Sequence, residues 1–254
     1  MASYLSSLKV IEISSVLAGP AVGLYFAEKG AEVIKIENSK TGGDVTRGWK
    51  LANEDSSKNT SAYFASVNWR KEHVFLDLSD DNDRSKIKAL VTKADIVLTN
   101  FKKGDAEKFE LDFLSLRTLN SNVILGEISG YGSKSERVAF DLVLQADTGF
   151  MSMNGTSDSG PVKMPVAFID LFAAHQLKEG ILEALLERNA TGKAYHVKVS
   201  LFDAALASLA NQATNYLIAG HVAQPMGSKH PNIAPYGELF KTKDERLITF
   251  AIGS

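Results

Sequence analysis

LKVIEISSVLAGPAVGLYFAEKGAEVIKIE, residues 8–37, holds two short β-branched runs, Leu8–Ser14 and Ala31–Glu37, on either side of a helix-like segment. That segment opens near Ala18-Gly19-Pro20 and closes at Lys29-Gly30. β-Branched runs read as strands, and proline at the start with glycine past the end brackets a helix. Strand, helix and strand in this order form a βαβ unit, whose handedness favours a parallel sheet. The pattern recurs in HVFLDL (His73–Leu78), DIVLT (Asp95–Thr99) and VILGEIS (Val123–Ser129), with helical apolar spacing over Asp80–Lys93 and Ala106–Asn120. Strands alternating with helices predict an α/β fold with a doubly wound parallel sheet.

Beyond Gly130, helical spacing governs Leu171–Asn189 and Ala204–Ala219, KAYHVKVS (193–200) alternates as a strand, and PYGELFKTKDERLITFAIGS (235–254) reads as two strands about a turn. Residues 38–67 are polar and longer than an ordinary connection, which marks them as functional or mobile. They follow a strand end, where ligands of open α/β sheets bind, so Asp44, Thr46 and Arg47 after a glycine pair are candidates to meet a phosphate.

Composition narrows the function. The chain has 254 residues, 44% hydrophobic and 23% charged, with a net charge of −2, so it lacks the basic field that nucleic-acid binding needs. It has no cysteine, which removes disulfides, thiolate metal sites and cysteine nucleophiles and suits a reducing, cytoplasmic setting. No apolar run is long enough to span a membrane, and the start lacks a secretory signal pattern. His73, His175, His196, His221 and His230 never fall at ligand spacing, so no metal is expected. P-loop, dinucleotide, zincin and serine-hydrolase motifs are all missing. Carboxylates remain. Asp170, in PVAFIDLFAAHQLKEGIL (165–182), stands between an apolar run and a helix, as a cap or as a nucleophile. Spacing alone favours the cap. Asp141, in RVAFD, faces the same choice.

Eight collinear blocks, LKVIEISSVLAGPAVGLYFAEKGAEVIKIE, GGDVTRGW, WRKEHVFLDL, ADIVLTNFKKGDAEKF, ISGYG, RVAFDLVLQADTGFMSMNG, FIDLFAAHQLKEGILEALLERNATGKAYHVKVSLFDAAL and HPNIAPYGELFKTKD, resemble the class III coenzyme A transferases (CaiB/BaiF-like). This family includes formyl-CoA transferase and has α-methylacyl-CoA racemase as a relative. The resemblance implies a Rossmann-like CoA-binding large domain over residues 1–225, with residues 226–254 as linker and the start of a small second domain at which the chain stops short of the family's length. It further implies a homodimer, acyl-CoA and a small carboxylic acid as substrates, and no tightly bound cofactor. The family's nucleophilic aspartate falls on Asp170, with Asp141 as a second site acid. The expected CoA contacts are Val16, Leu17, Ala18, Arg47, Lys71, Asn100, Phe101, Lys108 and Arg137.

The chain departs from formyl-CoA transferase at Leu17, where that enzyme has glutamine, at Asn38-Ser39, which replace a basic residue, and at Glu72-His73, which replace Arg-Ser. Formyl or oxalyl specificity is therefore not implied. Two other readings remain open. An isomerase of the racemase type would use Asp141 with an upstream histidine, but no histidine lies between His73 and His175. A shortened member would bind CoA without catalysis.

Overall fold

The structure, a computed structural model, describes residues 4–233 and 236–251. After a short 3-10 turn come β1 (Lys9–Ile13), α1 (Ala18–Glu28) and β2 (Glu32–Asn38), the expected βαβ unit. The helix α2 (Ala62–Asn68) leads into β3 (Glu72–Leu76), α3 (Asp81–Val91) into β4 (Ile96–Thr99), and α4 (Asp105–Lys108) with α5 (Phe113–Leu119) into β5 (Ile124–Ser129). Next are α6 (Asp141–Asp147), α7 (Phe150–Met153) and the two-residue strands β6 (Gly155–Thr156) and β7 (Gly160–Pro161). The 24-residue helix α8 (Phe168–Thr191) returns the chain to β8 (Tyr195–Ser200). Finally come α9 (Leu201–Ala207), α10 (Asn211–Ala219), β9 (Tyr236–Lys241) and β10 (Leu247–Ala251).

Six strands form one sheet in the order β3-β2-β1-β4-β5-β8, every neighbouring pair parallel. The order reverses between β1 and β4, the switch point at which open α/β sheets bind ligands. β4 is buried at all four positions, as a strand with helices on both faces must be. On one face Ile11, Ile13, Val97 and Leu125 pack with Ile87 and Val91 of α3 and Leu116 of α5. Among the residues buried on α1 and α8 are Val22, Phe26, Leu177 and Ile181.

Glycine lets α8 ride close on the sheet. A Cβ at Gly126 of β5 would lie 2.8 Å from Ile181 Cδ1, and one at Gly180 of α8 would lie 2.6 Å from Val197 Cγ1 of β8. Gly180→Val is therefore expected to destabilise the protein by about 1–3 kcal/mol through overpacking. Gly48→Ala, where a Cβ meets nothing within 4 Å, serves as the control, with urea midpoints as the measurement.

The described residues fall into two compact units. One holds residues up to 139 together with 169–204, hence the whole sheet; the other holds 140–168 and the residues from 205 onward. In the second unit β9 and β10 pair antiparallel, joining Leu247 to Lys241, and β6 pairs with β7. The expected final strand pair falls partly on residues 235 and 252–254, outside the described residues.

Several expected elements are shorter than their apolar spacing suggests. The helix expected over Ala106–Asn120 is interrupted near Glu110, whose φ of 56° is left-handed, and the one over Ala204–Ala219 is broken before Asn211 by Ala210 at 49°. The long loop after β2 contains α2. Ser61 caps that helix by accepting from Phe64 N, while the Trp49 and Tyr63 rings meet edge to face, 5.0 Å between centroids.

Candidate active site

Strands β1 and β4 end side by side, and the turn from β1 into α1 is tied down from both sides. Asn100, just past β4, exchanges two hydrogen bonds with the Ser15 backbone: Ser15 N donates to Oδ1 at 3.1 Å and Nδ2 donates to the Ser15 carbonyl at 2.9 Å. Val16 follows with φ of 72°, a left-handed conformation that costs a β-branched residue about 1–3 kcal/mol and persists only where its surroundings impose it. Its N–H donates to the Asp44 carboxylate, 3.1 Å from Oδ2. Leu17 and Ala18 are buried as α1 begins. Phe101 packs its ring 6.1 Å from Phe109, next to Lys108, whose ammonium lies 5.2 Å from the same ring.

Asp170 is the third residue of α8, inside its first turn, and half-buried. It is thus not the residue preceding the helix, which capping requires, although it still stands at the positive end of the helix dipole. Helix direction sets its level on the sheet. Near the far end of α8, Arg188 bonds the carbonyls of Asp95 and Asn122, which precede β4 and β5. The first turn of α8 therefore points toward the carboxyl ends of the strands. Lys178 of α8 lies 5.0 Å over the ring of Tyr25 in α1. Asp170 and Leu17 are each about eight residues, roughly 12 Å along a helix axis, before that contact. The nucleophile candidate and the β1–α1 turn thus share one level at the sheet's carboxyl edge.

The four cations among the expected CoA contacts divide into two pairs. Lys108 and Arg137 are exposed, Arg137 with its guanidinium 3.9 Å from the centroid of the Tyr131 ring. Arg47 and Lys71 are turned inward. Arg47 donates to both oxygens of Glu37, at 2.7 and 2.5 Å, and stacks 3.8 Å from the Phe64 ring centroid. Lys71, its side chain fully buried, donates to the Pro20 carbonyl at 2.8 Å and Asn68 Oδ1 at 3.0 Å and pairs with Glu12 Oε2 at 2.7 Å. Asp141 lies in the second unit, where its carboxylate accepts from Gln145.

Beneath the turn lies a buried group of charges that motif reading passed over. Lys35 donates to Glu12 Oε1 at 2.8 Å and to the Ser14 carbonyl at 2.6 Å, and pairs with Asp44 Oδ2 at 3.2 Å. Burial works against both charges, yet the two lysines together hold the Glu12 carboxyl below its ordinary range, and Glu12 with Asp44 holds Lys35 above its own. The signal was present in VIEIS and VIKIE, each with one charge inside an apolar strand, since Glu12 and Lys35 are register partners.

Glu37 anchors a second group. Burial alone would raise its pKa, but bonds from Arg47, His73 and the Asp44 N–H outweigh it and hold the carboxyl far below the usual range. A depressed carboxyl contributes stability that is present above its unfolded value and lost as pH falls toward the folded one. The urea midpoint should therefore drop on acidification below about pH 4.5, and Glu37→Gln should flatten that part of the profile.

Residues 5–254 match the sequence profile of CoA-transferase family III. The chain belongs to CoA-transferase family III. It is 38% identical to the succinate–glutarate CoA-transferase of Agrobacterium fabrum, over 98% of this chain and 63% of that protein. Identity to the succinyl-CoA:mesaconate CoA-transferase of Haloarcula hispanica is 33%, over 97% of this chain and 64% of the relative. A crystal structure of a CaiB/BaiF family protein from Brucella suis superposes with a TM-score of 0.87 at 37% identity, covering 100% of this chain and 67% of that one. The chain thus spans somewhat under two thirds of the curated relatives named here. The family match bears out the expected α/β fold and the resemblance. Among the described residues no helix is long and apolar enough to cross a membrane, and no cluster of potential metal ligands occurs.

Proposed function

We propose that the protein moves coenzyme A from an acyl-CoA donor to a carboxylic acid acceptor with Asp170 as nucleophile. The observation that carries this reading is the placement of Asp170 in the first turn of α8, level with the β1–α1 turn at the switch point, in a family III chain. A carboxylate oxygen of Asp170 attacks the thioester carbonyl, the C–S bond breaks, and CoA departs as thiolate, leaving a mixed anhydride. The thiolate attacks the aspartyl carbonyl, releases the donor acid and forms an aspartyl-CoA thioester. The acceptor carboxylate displaces CoA again, giving a second anhydride. Thiolate attack on the acceptor's carbonyl then yields the new acyl-CoA and restores Asp170. No net proton moves, and activation is retained throughout. The helix dipole favours the carboxylate form that begins the cycle.

Coenzyme A is proposed to lie against Val16, Leu17 and Ala18, with Asn100 and Phe101 beside it and Lys108 and Arg137 as the exposed cations for its phosphates. Arg47 and Lys71 act from beneath, through the fold. Asp141 is taken as a second site acid, and the functional form as a cytoplasmic homodimer, on the family resemblance. The names of the relatives make small dicarboxylic acids the first donors and acceptors to try. Incubation with succinyl-CoA, followed by intact-mass and peptide analysis, should reveal an adduct on Asp170, with glutaryl-CoA appearing when glutarate is added. Absence of both adduct and exchange would refute the reading.

A further inference from the structure

Two buried lysines grip the two ends of the β1–α1 turn. Lys35 donates to the carbonyl of Ser14, ahead of the turn, and Lys71 to the carbonyl of Pro20, behind it. Glu12 joins them, Oε1 bonding Lys35 at 2.8 Å and Oε2 facing Lys71 at 2.7 Å through charge rather than an aligned hydrogen bond. Lys35 also holds Asp44, which receives the N–H of the left-handed Val16. The side chains of Glu12, Lys35 and Lys71 are fully buried and that of Asp44 is 1% exposed, so the group balances its charge internally, two ammoniums against two carboxylates.

We propose that Lys71 is a positioning residue for coenzyme A recognition, its ammonium holding the β1–α1 turn in its ligand-accepting form through Glu12, Lys35 and Asp44. The proposal rests on the reading that this turn receives coenzyme A. Without its proton Lys71 would leave Glu12 and Asp44 facing Lys35 alone, an excess of one buried negative charge that the site relieves by admitting water or releasing Asp44. Either response loosens the grip on Val16 N–H.

Lys71 is the member poised to titrate. Burial pushes its ammonium down to about 8, against the upward pull of Glu12, whereas Glu12 and Asp44 hold Lys35 above its ordinary value. The charged groups facing Lys71 are Glu12 from β1, Lys35 from β2 and Asp44 from the loop, while α1 and α2 offer it the Pro20 carbonyl and the Asn68 amide, neither titratable. The turn therefore has a built-in pH dependence just above neutrality.

The test uses S-methyl coenzyme A, whose sulfur carries no proton, and calorimetry across about pH 6.5 to 9.5. Wild type should lose about tenfold in affinity as pH rises through the Lys71 transition. Lys71→Met should bind weakly at every pH, and Lys71→Arg, which stays charged, should keep tight binding at the alkaline end. In the free protein, hydrogen exchange at the Val16 amide, compared with Lys71→Arg at each pH so that intrinsic rates cancel, should accelerate over the same interval. A flat wild-type profile, or Lys71→Met binding as well as wild type, would overturn the proposal. If wild type binds no S-methyl coenzyme A at any pH, the functional reading fails, and the clamp is then decided by the Val16 amide. Protection retained in Lys71→Arg but lost in alkaline wild type supports it, and equal protection throughout sinks it. Should Lys71→Met fail to fold, wild type and Lys71→Arg still carry the comparison.

Discussion

Asp170→Asn is expected to leave no acyl adduct and to lower CoA exchange at least about 10⁴-fold, the scale on which loss of the nucleophile or its activation falls in other acyl-transfer enzymes. The substitution nearly conserves shape, and Asp170 is only half-buried in the first turn of a 24-residue helix. Its neighbours Ile169, Ala173 and Ala174 supply the burial, so the fold should survive. Losing the charge at the N-terminal turn costs roughly 0.3–1 kcal/mol at most, which separates a chemical defect from a folding one. The measurements are peptide mass after incubation with succinyl-CoA, the rate of glutaryl-CoA formation, and the thermal midpoint. Exchange within tenfold of wild type would remove Asp170 from the nucleophile role.

The second large effect is on stability. Glu12→Gln leaves Lys35 and Lys71 as buried cations with only Asp44 opposite them, and breaking a buried pair in this way costs about 3–5 kcal/mol. Pairing that change with Lys71→Met restores the balance, Lys35 against Asp44, and should recover much of the loss, so that the two substitutions are strongly non-additive. Urea denaturation of the two single variants and the double variant closes the cycle. Additive losses would mean that Glu12 and Lys71 do not act as a pair. Room for the pair depends on α1: a Cβ at Gly23 would lie 1.8 Å from Glu12 Oε2, so only glycine allows the carboxylate to sit under the helix.

The alternation of LKVIEIS and AEVIKIE about a proline-to-glycine helix was enough to predict β1, α1 and β2 and the parallel sheet, because strand periodicity and helix brackets are local properties. Local reading failed where a backbone conformation was imposed from elsewhere. Glu110 and Ala210 take left-handed φ values inside segments whose apolar spacing is helical, and nothing in their side chains announces it. The loop after β2 reads as functional or mobile, and the helix α2 that Ser61 caps within it, beside the Trp49–Tyr63 contact, is not announced by its polar composition.

The site followed the same division. The residue types and their order, read together with the family blocks, were sufficient to nominate Asp170, Asn100 and the Val16–Ala18 turn as candidates. Whether a lysine or arginine faces solvent or the interior was not legible, because a flexible side chain follows whatever carboxylate the fold brings within reach. Arg47 and Lys71 resemble Lys108 and Arg137 in sequence, but Glu37 and Glu12 draw the first two inward. Sequence by itself determined the strands of the central sheet, the sheet class and the family, all carried by patterns within short segments. Only the tertiary structure decided which charges are neutralised beneath the β1–α1 turn and the level that Asp170 shares with it, since both depend on partners far apart in the chain and brought together by the sheet.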